Sequence, residues 1–199
     1  MSDSPLDILS ILGSPREQGN TAYVLNWVEH ALRANGHQVE RINLIEYHIE
    51  PCVECLECRH EDHCLCANDR DDANGLIDRL VRADAIVIAT PVFCWGFPSH
   101  LKALMDRMYC TVGDYDTNPD YTSMLCGKPI GLVVTAGGAE EDNAELLIRA
   151  FNAMVQFLKA TSAGHLLYPF FRGAAHLTDH DRERAEEFAE SMLSVAQKA

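Results

Sequence analysis

The chain has 199 residues, a formal net charge of −14, 47% hydrophobic residues and eight cysteines. That length suits one domain large enough to bury its own core, so disulfides are not needed to hold it together. The acidic balance argues against nucleic acid, whose binding rests on neutralising phosphates with Lys and Arg, and no stretch approaches the roughly 20 apolar residues of a membrane span, so a cytoplasmic protein is expected.

Taken in chain order, the first apolar, β-branched-rich run is LDILSILG (residues 6–13), which reads as a strand. It runs into GSPREQGNTAYVL, where Gly13 permits a tight turn, Ser14 and Thr21 offer hydroxyls, and Arg16 offers a forked cation. Asn20 and Thr21 enter a helix whose free N–H groups face the strand end, which makes the segment a phosphate cradle. It is neither a GxxxxGKS/T loop nor a GxGxxG fingerprint, so the expected ligand is a phosphate monoester. Val24, Leu25, Val28 and Leu32 then recur at helical spacing before Gly36. QVERINLIE (residues 38–46) is the second strand.

Five of the cysteines follow within residues 51–66, PCVECLECRHEDHCLC. In a reducing compartment, clustered thiols point to metal or redox chemistry rather than to a disulfide framework. The third strand, ADAIVIATP, ends at Pro91, and Phe93 and Trp95 beside Pro91, Gly96 and Pro98 make a rigid apolar loop able to lie along a flat ring. A short helix carries Leu101, Leu104, Met105 and Met108. Residues 109–128 are long for a connection inside a compact domain, and such loops are usually functional. The fourth strand (residues 129–137) leads into Thr135, Ala136, Gly137 and Gly138, where two glycines let backbone N–H groups approach a ring edge. A helix with Leu147, Ala150, Phe151, Met154 and Leu158, a fifth strand over residues 163–170, and a helix from Ala185 to Ala196 behind a Thr178 or Asp179 cap complete the chain. This β/α alternation predicts a doubly wound parallel sheet, and the loops after strands one, three and four mark the ligand rim.

Those loops together resemble the flavodoxin-like NADPH-dependent FMN reductase family, with its GSPR-x-x-GNT phosphate loop, ADAIV-x-x-TPV strand and PSxLKxxxDR helix start. The resemblance implies an α/β flavodoxin-like domain over residues 1–199, with five parallel strands in the order 2-1-3-4-5 and a cysteine-rich insertion at 51–66. It implies FMN as cofactor, its phosphate on Ser14, Arg16, Asn20 and Thr21. Ring contacts would come from Pro91, Val92, Phe93, Cys94, Trp95 and Gly96 and from Thr135, Ala136, Gly137 and Gly138. Cys94-Trp95 departs from the Tyr or Phe with a small residue that members often carry. NAD(P)H would be a transient electron donor, and a homodimer or homotetramer would place the flavin near an interface to which residues 109–128 could contribute.

The cysteine spacing is Cys52-x2-Cys55-x2-Cys58-x5-Cys64, with Cys66 two residues on. Three thiolates at x2 spacing can converge on one cuboid cluster while a fourth closes it, although the x5 step differs from the x3 of ferredoxin-like runs. The arrangement resembles the iron-sulfur flavoproteins, whose compact cysteine motif binds a four-iron cluster, here expected on Cys52, Cys55, Cys58 and Cys64. Two alternatives stand beside it. Plain FMN reductases also carry cysteines here, followed by an Asp-Asp pair like Asp71-Asp72, and zinc could take the same thiols with His60 or His63 as substitutes. Cys66 is a free thiol or a substitute fourth ligand. Three functions follow: an FMN oxidoreductase with a cluster, a cluster-free NAD(P)H-dependent FMN or quinone reductase, and a non-catalytic electron carrier. Its partner in each case is a small-molecule or protein electron donor or acceptor. No catalytic acid or base is singled out, because flavin hydride chemistry needs orientation more than proton transfer.

Overall fold

The computed structural model describes residues 4–59, 66, 68, 70–113, 115 and 118–198. Its strands are β1 (Asp7–Leu12), β2 (Gln38–Asn43), β3 (Ala85–Pro91), β4 (Val112–Gly113), β5 (Thr122–Ser123), β6 (Pro129–Thr135) and β7 (Thr161–Tyr168). Its helices are α1 (Asn20–Ala34), α2 (Ala73–Arg82), α3 (Ser99–Arg107), α4 (Glu145–Phe157) and α5 (Asp179–Ala196). Five strands form one parallel sheet in the order β2-β1-β3-β6-β7, while β4 and β5 pair as a separate small hairpin. With that hairpin set aside, the order is the expected 2-1-3-4-5.

Burial on both faces explains why β3 and β6 read as continuous apolar runs: every residue of both is buried. Leu9, Ile11, Ile86, Ile88 and Leu132 face one layer, with Leu76, Ile77 and Leu80 of α2, Leu101 and Leu104 of α3 and Phe151 of α4. Ile8, Leu12, Val87 and Val133 face the other, with Val24, Leu25 and Val28 of α1 and Phe188, Ala189 and Met192 of α5. The chain goes from β1 outward to β2 and then returns to β3 on the opposite side of β1, so the reversal of strand order falls between β1 and β3.

Three details differ from the sequence reading. Helix α2 has no counterpart in it, yet buries Ala73, Leu76, Ile77 and Leu80 along one face. The last strand starts at Thr161 rather than at residue 163, with a register shift opposite Ile130 to Leu132. Residues 109–128, read from sequence as one long connection, contain the β4–β5 hairpin. Cys110, Val112 and Leu125 are buried, Tyr121 donates its hydroxyl proton to the Phe157 carbonyl (2.9 Å), and Tyr109 stacks on the Phe157 ring.

Candidate functional site

The carboxyl ends of β1, β3 and β6 lie side by side, and the loops leaving them are cross-linked by hydrogen bonds. Gly13 N–H donates to the Ala89 carbonyl (2.7 Å), joining the ends of β1 and β3. A side chain at position 13 would place its Cβ 2.5 Å from Leu101 Cδ2 and 3.2 Å from that same carbonyl, so only glycine lets α3 approach this closely. Val92 N–H donates to the Thr135 carbonyl (3.0 Å), joining β3 to β6. The Thr21 and Thr135 hydroxyls share a buried hydrogen bond of 2.8 Å, which fixes the start of α1 against the end of β6.

Within the first loop, the buried Ser14 hydroxyl sits on the backbone of Arg16, accepting from its N–H (3.2 Å) and donating to its carbonyl (3.3 Å). Gly19 precedes α1, and among the described residues no side chain caps the helix. The N–H groups of its first turn are therefore left for an acceptor from outside the chain, at the positive end of the helix dipole. Asn20 is half-buried beside them. Arg16 is exposed and has no ion-pair partner among the described residues. Together these groups fit the phosphate of a mononucleotide.

The second loop turns within two residues. Phe93 and Gly96 exchange backbone hydrogen bonds of 2.9 Å in each direction, and Cys94 and Trp95 between them have φ of 47° and 61°. Positive φ at both central positions is what a type I′ turn demands, normally of Asn or Gly. The Trp95 indole N–H donates to the Asp142 carbonyl (2.8 Å), tethering this turn to the segment before α4. Phe93 and Trp95 are about half exposed, so two aromatic faces stand at the rim beside Pro91 and Val92. In the third loop, Thr135 and Ala136 are buried and the Ala136 N–H is committed to the Tyr168 carbonyl of β7 (3.0 Å). Gly137 is exposed with open space where a Cβ would stand, whereas at Gly138 a Cβ would come within 3.0 Å of Asn143.

His100, which sequence reasoning passed over, stands on α3 against the Gly13 backbone. Burial pulls its pKa below the ordinary 6.5, with the hydrogen bond to Gly13 opposing, so the imidazole is neutral at neutral pH.

The cysteine segment lies beyond β2. Cys52 and Cys55 are exposed, and Cys58 and Cys66 are half-buried; Cys64, with His60 and His63, lies outside the described residues. Burial pushes the Cys58 thiol up, and charge on Cys66, Cys55 and Cys52 pushes it the same way. Three other thiols are thus close enough to disfavour the ionisation of Cys58, a condition that a bound cation relieves. They line a cavity of about 820 Å³ together with Tyr109 and Phe157. Among the described residues, no three His, Cys, Asp or Glu side chains converge tightly enough for a single metal ion.

The neck of this segment is clasped by Arg107, at the end of α3. Its guanidinium makes a bidentate pair with Asp71 (2.6 and 3.2 Å) and donates to the carbonyls of Glu50 (3.1 Å) and Asn68 (2.9 Å). One side chain therefore holds residues before and after the cysteines. The arginine and aspartate side chains are 1% and 0% exposed. Burial alone would raise the Asp71 carboxyl, but the Arg107 hydrogen bond and the N–H groups of Glu50 and Ala73 outweigh it and hold it below the ordinary range. Sequence reasoning noticed Asp71 and the DR at residues 106–107 without pairing them, because no local spacing connects positions 36 apart.

Comparison with known proteins gives concordant matches. The model of the NADPH-dependent FMN reductase family matches residues 6–169. An iron-sulfur flavoprotein of Methanocaldococcus jannaschii is 32% identical over 102 residues, 51% of this chain and 51% of that protein, so the chain spans about half of that relative's length. An iron-sulfur flavoprotein of Archaeoglobus fulgidus is 32% identical over 143 residues, 71% of this chain and 67% of that protein. Among solved structures, RosB with its bound intermediate superposes with a TM-score of 0.73 at 17% identity, covering 97% of this chain and 79% of that one, a likeness of fold.

Proposed function

The chain belongs to the NADPH-dependent FMN reductase family, and from that premise we propose that it is an NAD(P)H-linked FMN oxidoreductase of the iron-sulfur flavoprotein type. The observation that carries the flavin half is the buried Thr21–Thr135 hydrogen bond, which brings an uncapped helix N-terminus to the strand ends where Phe93 and Trp95 present their rings. FMN, when bound, would supply the exchange of a hydride with a nicotinamide and the release of electrons to an acceptor. The chain's own part is to bind and orient. Ser14, Asn20, Thr21 and the first-turn N–H groups of α1 would hold the phosphate, with Arg16 closing over it as a charge-assisted donor. Residues 91–96 and 135–138 would flank the ring, and the tether from Trp95 to Asp142 would keep the turn from collapsing into the open face.

The cysteine half of the reading places a four-iron cluster on the thiols around Cys58, where it would supply single-electron exchange. Helix α3 starts directly after the ring loop and ends at Arg107, which clasps the cysteine segment. As a rod of nine residues, about 13 Å long, it sets the spacing between the two sites. The reading includes a cytoplasmic location, where thiols stay reduced, and a homodimer or homotetramer. No described helix is long and apolar enough to cross a membrane.

Arg16→Ala combined with Thr21→Ala tests the cradle. The loss of one charge-assisted contact and one anchored hydroxyl is expected to weaken FMN binding by about ten- to a hundred-fold or more, read by quenching of flavin fluorescence, with the far-ultraviolet circular dichroism unchanged. Wild-type FMN affinity in that variant would rule the cradle out. NAD(P)H oxidation with an added quinone, in protein with and without iron, then separates the cluster-bearing enzyme from the cluster-free reductase.

A further inference from the structure

The x5 spacing assigns the fourth thiolate to Cys64, but the fold builds a holder for a different cysteine. Cys66 N–H donates to Asn74 Oδ1 (2.9 Å), and Asn74 Nδ2 donates back to the Cys66 carbonyl (2.9 Å). Asn74 lies in the first turn of α2, so the backbone at position 66 is pinned at two points to a packed helix. The Arg107 guanidinium interacts electrostatically with Cys66. Its Nε is buried with no hydrogen-bond partner among the described residues, although its other nitrogens are all engaged. A buried N–H without an acceptor is disfavoured, and a neutral thiol is a weak acceptor. A metal-bound thiolate at position 66 is a charged one.

We propose that Cys66 supplies the fourth thiolate of the cysteine site, with Cys52, Cys55 and Cys58, in place of Cys64. The inference rests on the cluster reading given above and deepens it. Cys52, Cys55 and Cys58 come from one short run, whereas Cys66 enters from the α2 side, and all four line the same cavity. A cuboid cluster presents iron corners in different directions, so a ligand from a second backbone direction closes what the x2-x2 run leaves open. A ligand already pinned by Asn74 also loses little freedom on binding. On ligation each thiol gives its proton to solvent and its sulfur lone pair to iron.

The test uses the full chain, reconstituted without oxygen with ferrous iron and sulfide, and reads iron, acid-labile sulfide and visible absorbance beside bound FMN. Wild type and Cys64→Ser are expected to take up equal iron, and Cys66→Ser to lose most of it while keeping FMN. Full iron in Cys66→Ser overturns the inference. So does loss of iron in Cys64→Ser with FMN retained, a result that decides the matter even if Cys66→Ser fails to fold. Wild-type protein that takes up no iron would instead overturn the cluster reading, and the inference with it.

Discussion

Replacing Arg107 by alanine would leave the Asp71 carboxylate buried without its cation and free both ends of the cysteine segment at Glu50 and Asn68. Breaking a buried ion pair from one side costs about 3–5 kcal/mol. The midpoint of urea unfolding should fall accordingly, and a change under about 1 kcal/mol would show that the pair is not the clasp described. The contrast with the proposed phosphate cradle shows which residues can be read from sequence. Ser14, Arg16, Asn20 and Thr21 lie within one turn and helix start, so their chemistry is visible as a local pattern. Arg107 and Asp71 meet only because α3 and the start of α2 pack on the same face of the sheet. Cys94 and Trp95 are an intermediate case: the letters stand out as a departure, but not that both occupy positive φ.

Helix α5 shows local chemistry specifying an element. Thr178 and Asp181 form a reciprocal capping box, in which Thr178 Oγ1 accepts from Asp181 N–H and Asp181 Oδ2 accepts from Thr178 N–H. Thr178→Ala should cost about 1 kcal/mol and leave FMN affinity unchanged, because the Thr178 side chain makes its hydrogen bonds to Asp181 and not to the β1, β3 and β6 loops; altered flavin binding would mean that α5 reaches the site. The helix missing from the sequence reading, α2, has only ten residues, with a glycine at position 75, and follows the cysteines that dominate the region. Its core residues Leu76, Ile77 and Leu80 supply less than two turns of periodic signal, too little to stand out. The five sheet strands are legible because β3 and β6 are buried on both faces and punctuated by glycine and proline. The early start of β7 is not, because it rests on a register shift against β6 that no single strand reveals.

For the whole molecule, buried titratable groups set both ends of the stability profile. The Asp71 carboxyl, and that of Asp181, lie below the ordinary 3.8, in each case because hydrogen bonds outweigh the opposing effect of burial. A carboxyl whose pKa is lower folded than unfolded adds stability above the unfolded value and loses it as pH falls through the folded one. The protein should therefore weaken as pH drops below about 4. The Tyr168 phenol, pushed up to about 12 by burial first of all, has the opposite sign: its contribution is complete below the ordinary 10.0 and is lost as pH rises toward 12. Thermal unfolding midpoints across pH should show a plateau with both declines, and Tyr168→Phe should remove part of the alkaline one. An alkaline limb identical in that variant would contradict the assignment. The net charge of −14 adds self-repulsion over most of this range, and the proposed phosphate cradle would be a local exception to the global field.

The arrangement of the three loops is an account of how this chain holds a flavin mononucleotide, so the flavin content of the purified protein bears on it before any assay of turnover. Released cofactor should be FMN, at close to one per chain, and stripped protein should recover it from solution unless Arg16 and Thr21 have been replaced. Protein that carries no flavin and takes up none from excess FMN would contradict the account, whatever the cysteines prove to bind.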